Sequence, residues 1–378
     1  MKCPVCKTEI EPTIKKCPTC GFTDLYVDFV STDDAASWVE QVVIPYRKEW
    51  EKNCYNADDL YRTMQKRQLS RIMSNSESKD SPFEFELDEN GAILTQYNGS
   101  NEAIQIPDYY NDVPVYKIAD RVFQNCLELK HVELPTHLQI IGKSAFAGSS
   151  IVDISLNDEL IEICGGAFIN TSLNEVVIPD SVKRIGTSAF EFRSLFNKSV
   201  KCTTNIKLGR NVEHIGDRAF IGTATTKLIF PETLKTIPSS VCAICQELTT
   251  VVILGANKIC SSAFNGCVAL KEIMLPDCLE TVDTHAFNSC SNLRSIVLPE
   301  NTTSLALNFI SNALGYNKST EPVKIAFLSD NVRIIPPNKI DNFHPEWVTF
   351  YCNSGSSAQK YAREHRIQCY PLSEFVED

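Results

Sequence analysis

No apolar run in this chain approaches the roughly 18 residues needed to cross a membrane. Its start, MKCPVCKTEI, has neither an apolar core nor a small-residue cleavage site. The first absence argues against a membrane span and the second against secretion. A phosphate-binding glycine loop, a cofactor fingerprint and a catalytic constellation are also missing. The six histidines, at 131, 137, 214, 285, 344 and 365, are scattered without metal-ligand or triad spacing. Neither an enzyme nor a small-molecule substrate is expected. Sixteen cysteines would suggest a disulfide framework in a secreted chain, but without an export signal they read as thiols in a reducing, cytoplasmic interior.

Hydrophobic residues make up 43% of the chain and charged residues 22%, the balance of an ordinary folded protein. The net charge of −11 is unevenly spread. Residues 1–82 hold 12 Lys+Arg against 13 Asp+Glu, and residues 83–378 hold 24 against 34. An acidic C-terminal region disfavours nucleic acid and anionic membranes and favours a protein partner with a basic surface.

A returning phenylalanine organises that region. Phe123, Phe146, Phe168, Phe190, Phe220, Phe264 and Phe287 each end a stretch related to Ile-Gly-x-x-Ala-Phe, with Cys242 in the slot between Phe220 and Phe264. The step is 22 or 23 residues except at one 30-residue unit. A period of this size marks a solenoid of stacked repeats, a binding scaffold more often than a catalyst. The short strand of each unit is read at His131–Leu134, Asp153–Leu156, Glu175–Ile178, Asn205–Leu208, Lys227–Phe230, Thr250–Ile253, Glu272–Leu275, Ser295–Leu298 and Lys324–Phe327. Proline often follows, at 135, 179, 231, 276 and 299, and ends the strand. The last two anchors are placed at Ile310 and Ile340, making ten, with insertions near 194–204 and 314–323. Alternation around Asn90-Gly91 predicts a hairpin with a type I′ turn that caps the first repeat over 83–106.

The repeat pattern Ile-Gly-x-x-Ala-Phe-x-x-Cys-x-x-Leu-x-x-Ile-x-Leu-Pro resembles the BspA-like, treponemal-type leucine-rich repeat over about 83–370. The resemblance implies a mainly β, right-handed solenoid with a parallel sheet on one face, used for binding, and a terminal cap at Ser354–Tyr370. Ala358, Tyr361, Ala362 and His365 have helical spacing there. Members with export signals act in adhesion at cell surfaces; such a role here requires export by an unrecognised route.

At the N-terminus, Cys3-Pro-Val-Cys6 and Cys17-Pro-Thr-Cys20 form two Cys-x-x-Cys pairs ten residues apart. That spacing suits one tetrahedral Zn2+ with four thiolates, closed to substrate and therefore structural. Free thiols or two disulfides are the alternative. Residues 1–22 resemble the short zinc ribbon found at the N-terminus of many prokaryotic proteins. Trp38, Val42, Tyr46, Trp50 and Cys54 recur every fourth residue, so 23–73 is read as a helical segment, followed by a linker at 74–82. Arg62, Lys66, Arg67 and Arg71 line one face of a helix over 57–73. Ribbon and basic helix together make nucleic acid the alternative partner; a solvated face is the plainer account. Residues 371–378 are read as a tail.

Two column assignments bear on function. Cys126, Cys245, Cys267 and Cys290 sit three residues after an anchor, where other units have Ser149, Thr171, Thr223 and Ala313. They read as small buried side chains, and Cys242-Ala-Ile-Cys245 as repeat positions, not a redox motif. In the strands, side chains alternate, so the outward middle column runs Glu133, Ser155, Val177, Lys207, Ile229, Val252, Met274, Val297, Ala326. Its last five members are apolar. An apolar strip rimmed by polar groups is a protein-binding candidate; strand propensity, or coverage by the N-terminal helices, is the structural alternative.

Overall fold

The computed structural model describes residues 81–192, 204–309, 322–336 and 344–376. The ribbon at 1–22, the helical segment at 23–73, nearly all of the 74–82 linker, most of both insertions and the anchors Ile310 and Ile340 lie outside the described residues. The chain divides between Ser81 and Pro82, and the following concerns the part from Pro82 onward.

Phe83–Asp88 and Gly91–Tyr97 form an antiparallel hairpin in which Asp88 faces Gly91. Its turn is not the expected type I′. Neither Glu89 nor Asn90 has positive φ; instead Asp88 Oδ1 accepts the N–H groups of Asn90 at 2.8 Å and Gly91 at 3.1 Å. A side chain that binds the backbone two residues on replaces the left-handed turn. The turn with two positive φ values lies at Asn111 (51°) and Asp112 (63°). It joins Tyr109–Tyr110 to Val113–Ile118, and both residue types tolerate that conformation.

Beyond the hairpin the repeats stack, almost entirely as short parallel strands. The strands named from the sequence form a front ladder, in register from one repeat to the next: Glu175 opposite Asn205, Lys227 opposite Thr250, Thr250 opposite Glu272. This ladder is interrupted, forming separate sheets that end after Ile154, Lys207 and Met274. A second ladder, which the sequence does not announce, is built at the first position of the Ile-Gly-x-x-Ala-Phe stretches and their equivalents. Ile140–Ile141, Glu162–Ile163, Arg184–Ile185 and His214–Ile215 pair in order, as do Thr236–Ile237, Lys258–Ile259, Thr281–Val282, Ser304–Ala306 and Arg333–Ile335. Glycine follows three of these strands, at 142, 186 and 216, where successive repeats nearly touch: a Cβ on Gly216 would lie 2.3 Å from Thr187 N.

Between the ladders each repeat makes a tight arc around its anchor. The anchor N–H donates to the next repeat, Phe146 to Ala167 O at 2.8 Å and Phe264 to Ala286 O at 2.8 Å. The residue two before the anchor is left-handed at Ser144, Ser188, Arg218, Ser240, Ser262 and His285, and the residue two after at Asn125, Asn170, Gly222, Ile244, Gly266 and Ser289. Two such bends turn the backbone around the anchor ring and send that ring inward.

The rings then stack. Phe123 to Phe146, Phe146 to Phe168 and Phe168 to Phe190 have centroids 4.9, 5.2 and 5.1 Å apart and planes within 12°. Tyr97 of the hairpin meets Phe123 at 5.2 Å and so covers the first ring. At the other end a helix, α1 (Ser357–His365), is capped by Ser356, whose side chain accepts the Gln359 N–H, and stopped by left-handed Arg366. It buries Ala358 and Ala362 before Gln368–Pro371 adds a last parallel strand to Val348–Cys352.

Candidate partner-binding face

Alternation along the front strands puts Leu228 and Phe230, and Val251 and Ile253, in the core, and turns Ile229 and Val252 outward. Ile229, Val252 and Met274 are direct neighbours in register on one three-stranded sheet. Ile229 is 36% exposed and Met274 59%, while Val252 between them is half-buried. Val297 is also half-buried, but it belongs to the next sheet, beyond the break after Met274.

Ala326 departs from the expected strip. It points to the predicted side but is 0% exposed. Its register neighbours are Val297 and Tyr351, both larger, and a lone methyl between taller side chains meets no solvent. The strip is therefore three adjoining apolar residues, then Val297 across a break.

The neighbouring column is polar and laterally paired. His131 Nδ1 lies 2.8 Å from Asp153 Oδ1, and Thr250 Oγ1 donates to Glu272 Oε2 at 3.2 Å; Lys207 of the middle column reaches across to Glu175 Oε1 of the neighbouring one at 2.7 Å. Exposed pairs of this kind add little stability, but they satisfy the rim.

The family description "BspA type Leucine rich repeat region" matches residues 116–249 and 213–332, in six copies. This chain belongs to that family. The repeat protein is similar in fold to a leucine-rich repeat protein from Bacteroides ovatus, with 18% identity over 74% of this chain and 72% of that one and a TM-score of 0.54. A leucine-rich repeat protein of T. pallidum is 27% identical over 58% of this chain and 91% of its own, with a TM-score of 0.42. No curated protein matches the sequence.

In this BspA-type protein the outward column continues past Ala326 into a region without the repeat motif. Tyr351 is in register with Ala326, and Tyr370 with Tyr351. The two tyrosine rings stack at 5.6 Å, and Phe375 meets Tyr351 edge-on at 5.3 Å. Tyr370 is 37% exposed. The signal was the alternation in Val348-Thr-Phe-Tyr-Cys, hidden because no anchor motif follows it.

Six described members of the small column after the anchors are hydrogen-bond donors. Ser149 Oγ, Thr171 Oγ1 and Thr223 Oγ1 donate to the carbonyls of Phe146, Phe168 and Phe220, their own anchors, at 2.7, 2.9 and 3.0 Å. The cysteines reach one repeat back: Cys245 Sγ to Phe220 O at 3.1 Å, Cys267 to Cys242 O at 3.0 Å, Cys290 to Phe264 O at 3.2 Å. Burial pushes Cys290 up to about 12 and Cys242 and Cys267 well above the ordinary thiol range, which makes those three poor nucleophiles and poor metal ligands. Cys245 goes the other way: burial would raise it, but hydrogen bonds from Cys242 and Thr223 and from the backbone lower it.

Among the described residues no group of three or more His, Cys, Asp or Glu side chains could hold a metal ion, and no helix is long and apolar enough to cross a membrane. Cys3, Cys6, Cys17 and Cys20 lie outside the described residues.

Proposed function

We propose that this chain is a non-enzymatic interaction scaffold that binds a protein partner on the outward face of its front ladder. Leucine-rich repeats serve as protein-interaction or adhesion-type scaffolds, which supports the general class. The observation that carries the particular surface is the register of Ile229, Val252 and Met274 across three adjacent strands, with both outer members open to solvent. At about 4.8 Å per strand they span roughly 10 Å, enough to seat one or two apolar side chains of a partner within a polar rim. The acidic charge of residues 83–378 favours a partner with basic residues around that apolar contact.

The test is a full-length chain carrying a photo-crosslinking side chain at Met274, compared with one carrying it at exposed Glu213, beside the second ladder. The expected result is one protein crosslinked from Met274 alone and lost in the Ile229→Asp/Val252→Asp background. Equal crosslinking from both positions, or capture unaffected by the double substitution, overturns the assignment.

For the N-terminus we propose one structural Zn2+ on Cys3, Cys6, Cys17 and Cys20. Two Cys-x-x-Cys pairs make a donor set of four soft thiolates that fits zinc and leaves no open position. Elemental analysis of the purified full chain should give one zinc per chain. Loss of that zinc on Cys17→Ser/Cys20→Ser supports the assignment; unchanged zinc content overturns it.

A further inference from the structure

Ten of the sixteen cysteines lie among the described residues. Cys242, Cys245, Cys267 and Cys290 are occupied as buried anchor or column residues. Cys352 and Cys369 stand apart: they face the core from the two strands beyond the repeat motif, and their Sγ atoms are 3.2 Å from each other. Cys369 Sγ also lies 3.9 Å from Tyr370 O. We propose that Cys352 and Cys369 are a disulfide site, oxidised by thiol–disulfide exchange with a disulfide oxidant, that staples the terminal strand to the solenoid.

Two sulfurs at this separation are inside van der Waals contact, and a bond of about 2.05 Å requires them to close by roughly another ångström. Because Cys352 is in register with Pro371 and Cys369 with Phe350, the two are diagonal neighbours and the backbone must shift as well. The strand that must move is the one best able to do so. Gln368–Pro371 pairs with Val348–Cys352 on one side and is the last strand of its sheet. Both thiols project toward the core side: Phe350, buried, is in register with Cys369, while the neighbouring Tyr351 and Tyr370 stack on the other face.

The two sulfurs differ in access, which sets the order of the chemistry. Cys352 is 1% exposed and Cys369 is partly open. The Cys369 thiolate attacks one sulfur of glutathione disulfide, forming a mixed disulfide and releasing one glutathione. The Cys352 thiolate then attacks Cys369 Sγ, forming the intramolecular bond and displacing the second glutathione. Two protein thiols lose two electrons, the oxidant gains them, and the two protons leave on the two released thiols. Burial, with the adjacent Cys352 thiol, pushes Cys369 up to about 12, so exchange is slow at neutral pH and faster as pH rises. In a reducing interior the pair rests as thiols and responds to a shift in redox poise.

The consequence is mechanical. The bond closes a loop from 352 to 369 that contains the whole of α1, and it prevents the terminal strand from peeling away. The full-length chain, equilibrated in glutathione buffers of graded oxidised-to-reduced ratio, is quenched in acid, alkylated and digested without reduction. The expected product is a peptide linking Cys352 to Cys369 that disappears on reduction and in Cys352→Ser and Cys369→Ser variants. Amide exchange across α1 should slow at least about tenfold in the linked wild-type chain, a readout that needs no variant to fold. Oxidation that yields only glutathione adducts, at Cys369 or exposed Cys278, overturns the site. A linked peptide with unchanged exchange in α1, or one formed equally well in urea, overturns the staple.

Discussion

The Phe230 ring meets the Phe264 ring edge-on, with centroids 6.1 Å apart and planes at 72°. Phe264 otherwise stacks flat, at 3°, on Phe287. Phe230 belongs to the repeat whose anchor is Cys242, and it stands where most repeats carry Leu or Ile, such as Leu134, Ile178 and Ile253. The missing anchor ring is thus replaced by a ring from the opposite strand. Cys242→Phe should overpack the core and destabilise by about 1–3 kcal/mol, and Phe230→Leu should leave a void with a loss of similar size. The double substitution should recover most of the deficit. Urea unfolding of all four proteins checks this; simple additivity of the two losses would refute the exchange of volumes.

Cys267 Sγ donates to Cys242 O, and equivalent positions use hydroxyls. Thr and Val have nearly the same shape, so Cys267→Thr and Cys267→Val differ chiefly in the donor. The threonine variant should be the more stable by about 1 kcal/mol. Equal stability in urea unfolding would mean that the column selects size alone.

Ile244 is a β-branched residue with φ of 60°, more than half exposed. Repeats elsewhere place Asn125, Asn170 or glycine there. Ile244→Asn should stabilise the fold by about 1 kcal/mol by relieving the left-handed conformation. A loss of stability would show instead that the isoleucine side chain packs usefully on Gly266, whose Cβ position lies 3.6 Å from it.

Asp180 joins the repeats that flank the insertion near 194–204, accepting the Arg210 backbone N–H at 2.7 Å and Nε–H at 2.8 Å. Partial burial would raise its carboxyl, but the Arg210 bonds and charge override that and hold it below the ordinary aspartate range. A depressed folded value contributes stability above the unfolded value near ~3.9, lost as pH falls through the folded one. Wild type should therefore lose more stability than Asp180→Asn between pH 5 and pH 3. The difference should stay under about 1 kcal/mol, because the pair is largely solvated. Identical pH profiles would remove the carboxylate from the account.

The period, the front strands and the anchors were legible because each repeat carries a ring at a fixed distance from an alternating strand. The second ladder was not, since two-residue strands such as Glu162–Ile163 and Arg184–Ile185 are too short to show alternation. The left-handed turn was assigned to Asn90-Gly91 and is found at Asn111-Asp112, because Asp88 supplies a competing side-chain bond. Ala326 illustrates a different limit. Alternation gives the direction of a side chain but not the height of its neighbours, and Tyr351, which covers it, comes from outside the repeat pattern.

Phe146 and Phe168 each lie between the anchor rings of the repeats immediately before and after, and their N–H groups reach the next repeat. A whole unit of 22 residues can therefore be duplicated or deleted while both flanking units find the same kind of neighbour. Recognition area in such a chain changes in discrete increments, one outward side chain per copy, so lineages can alter partner reach by unequal recombination without redesigning the core.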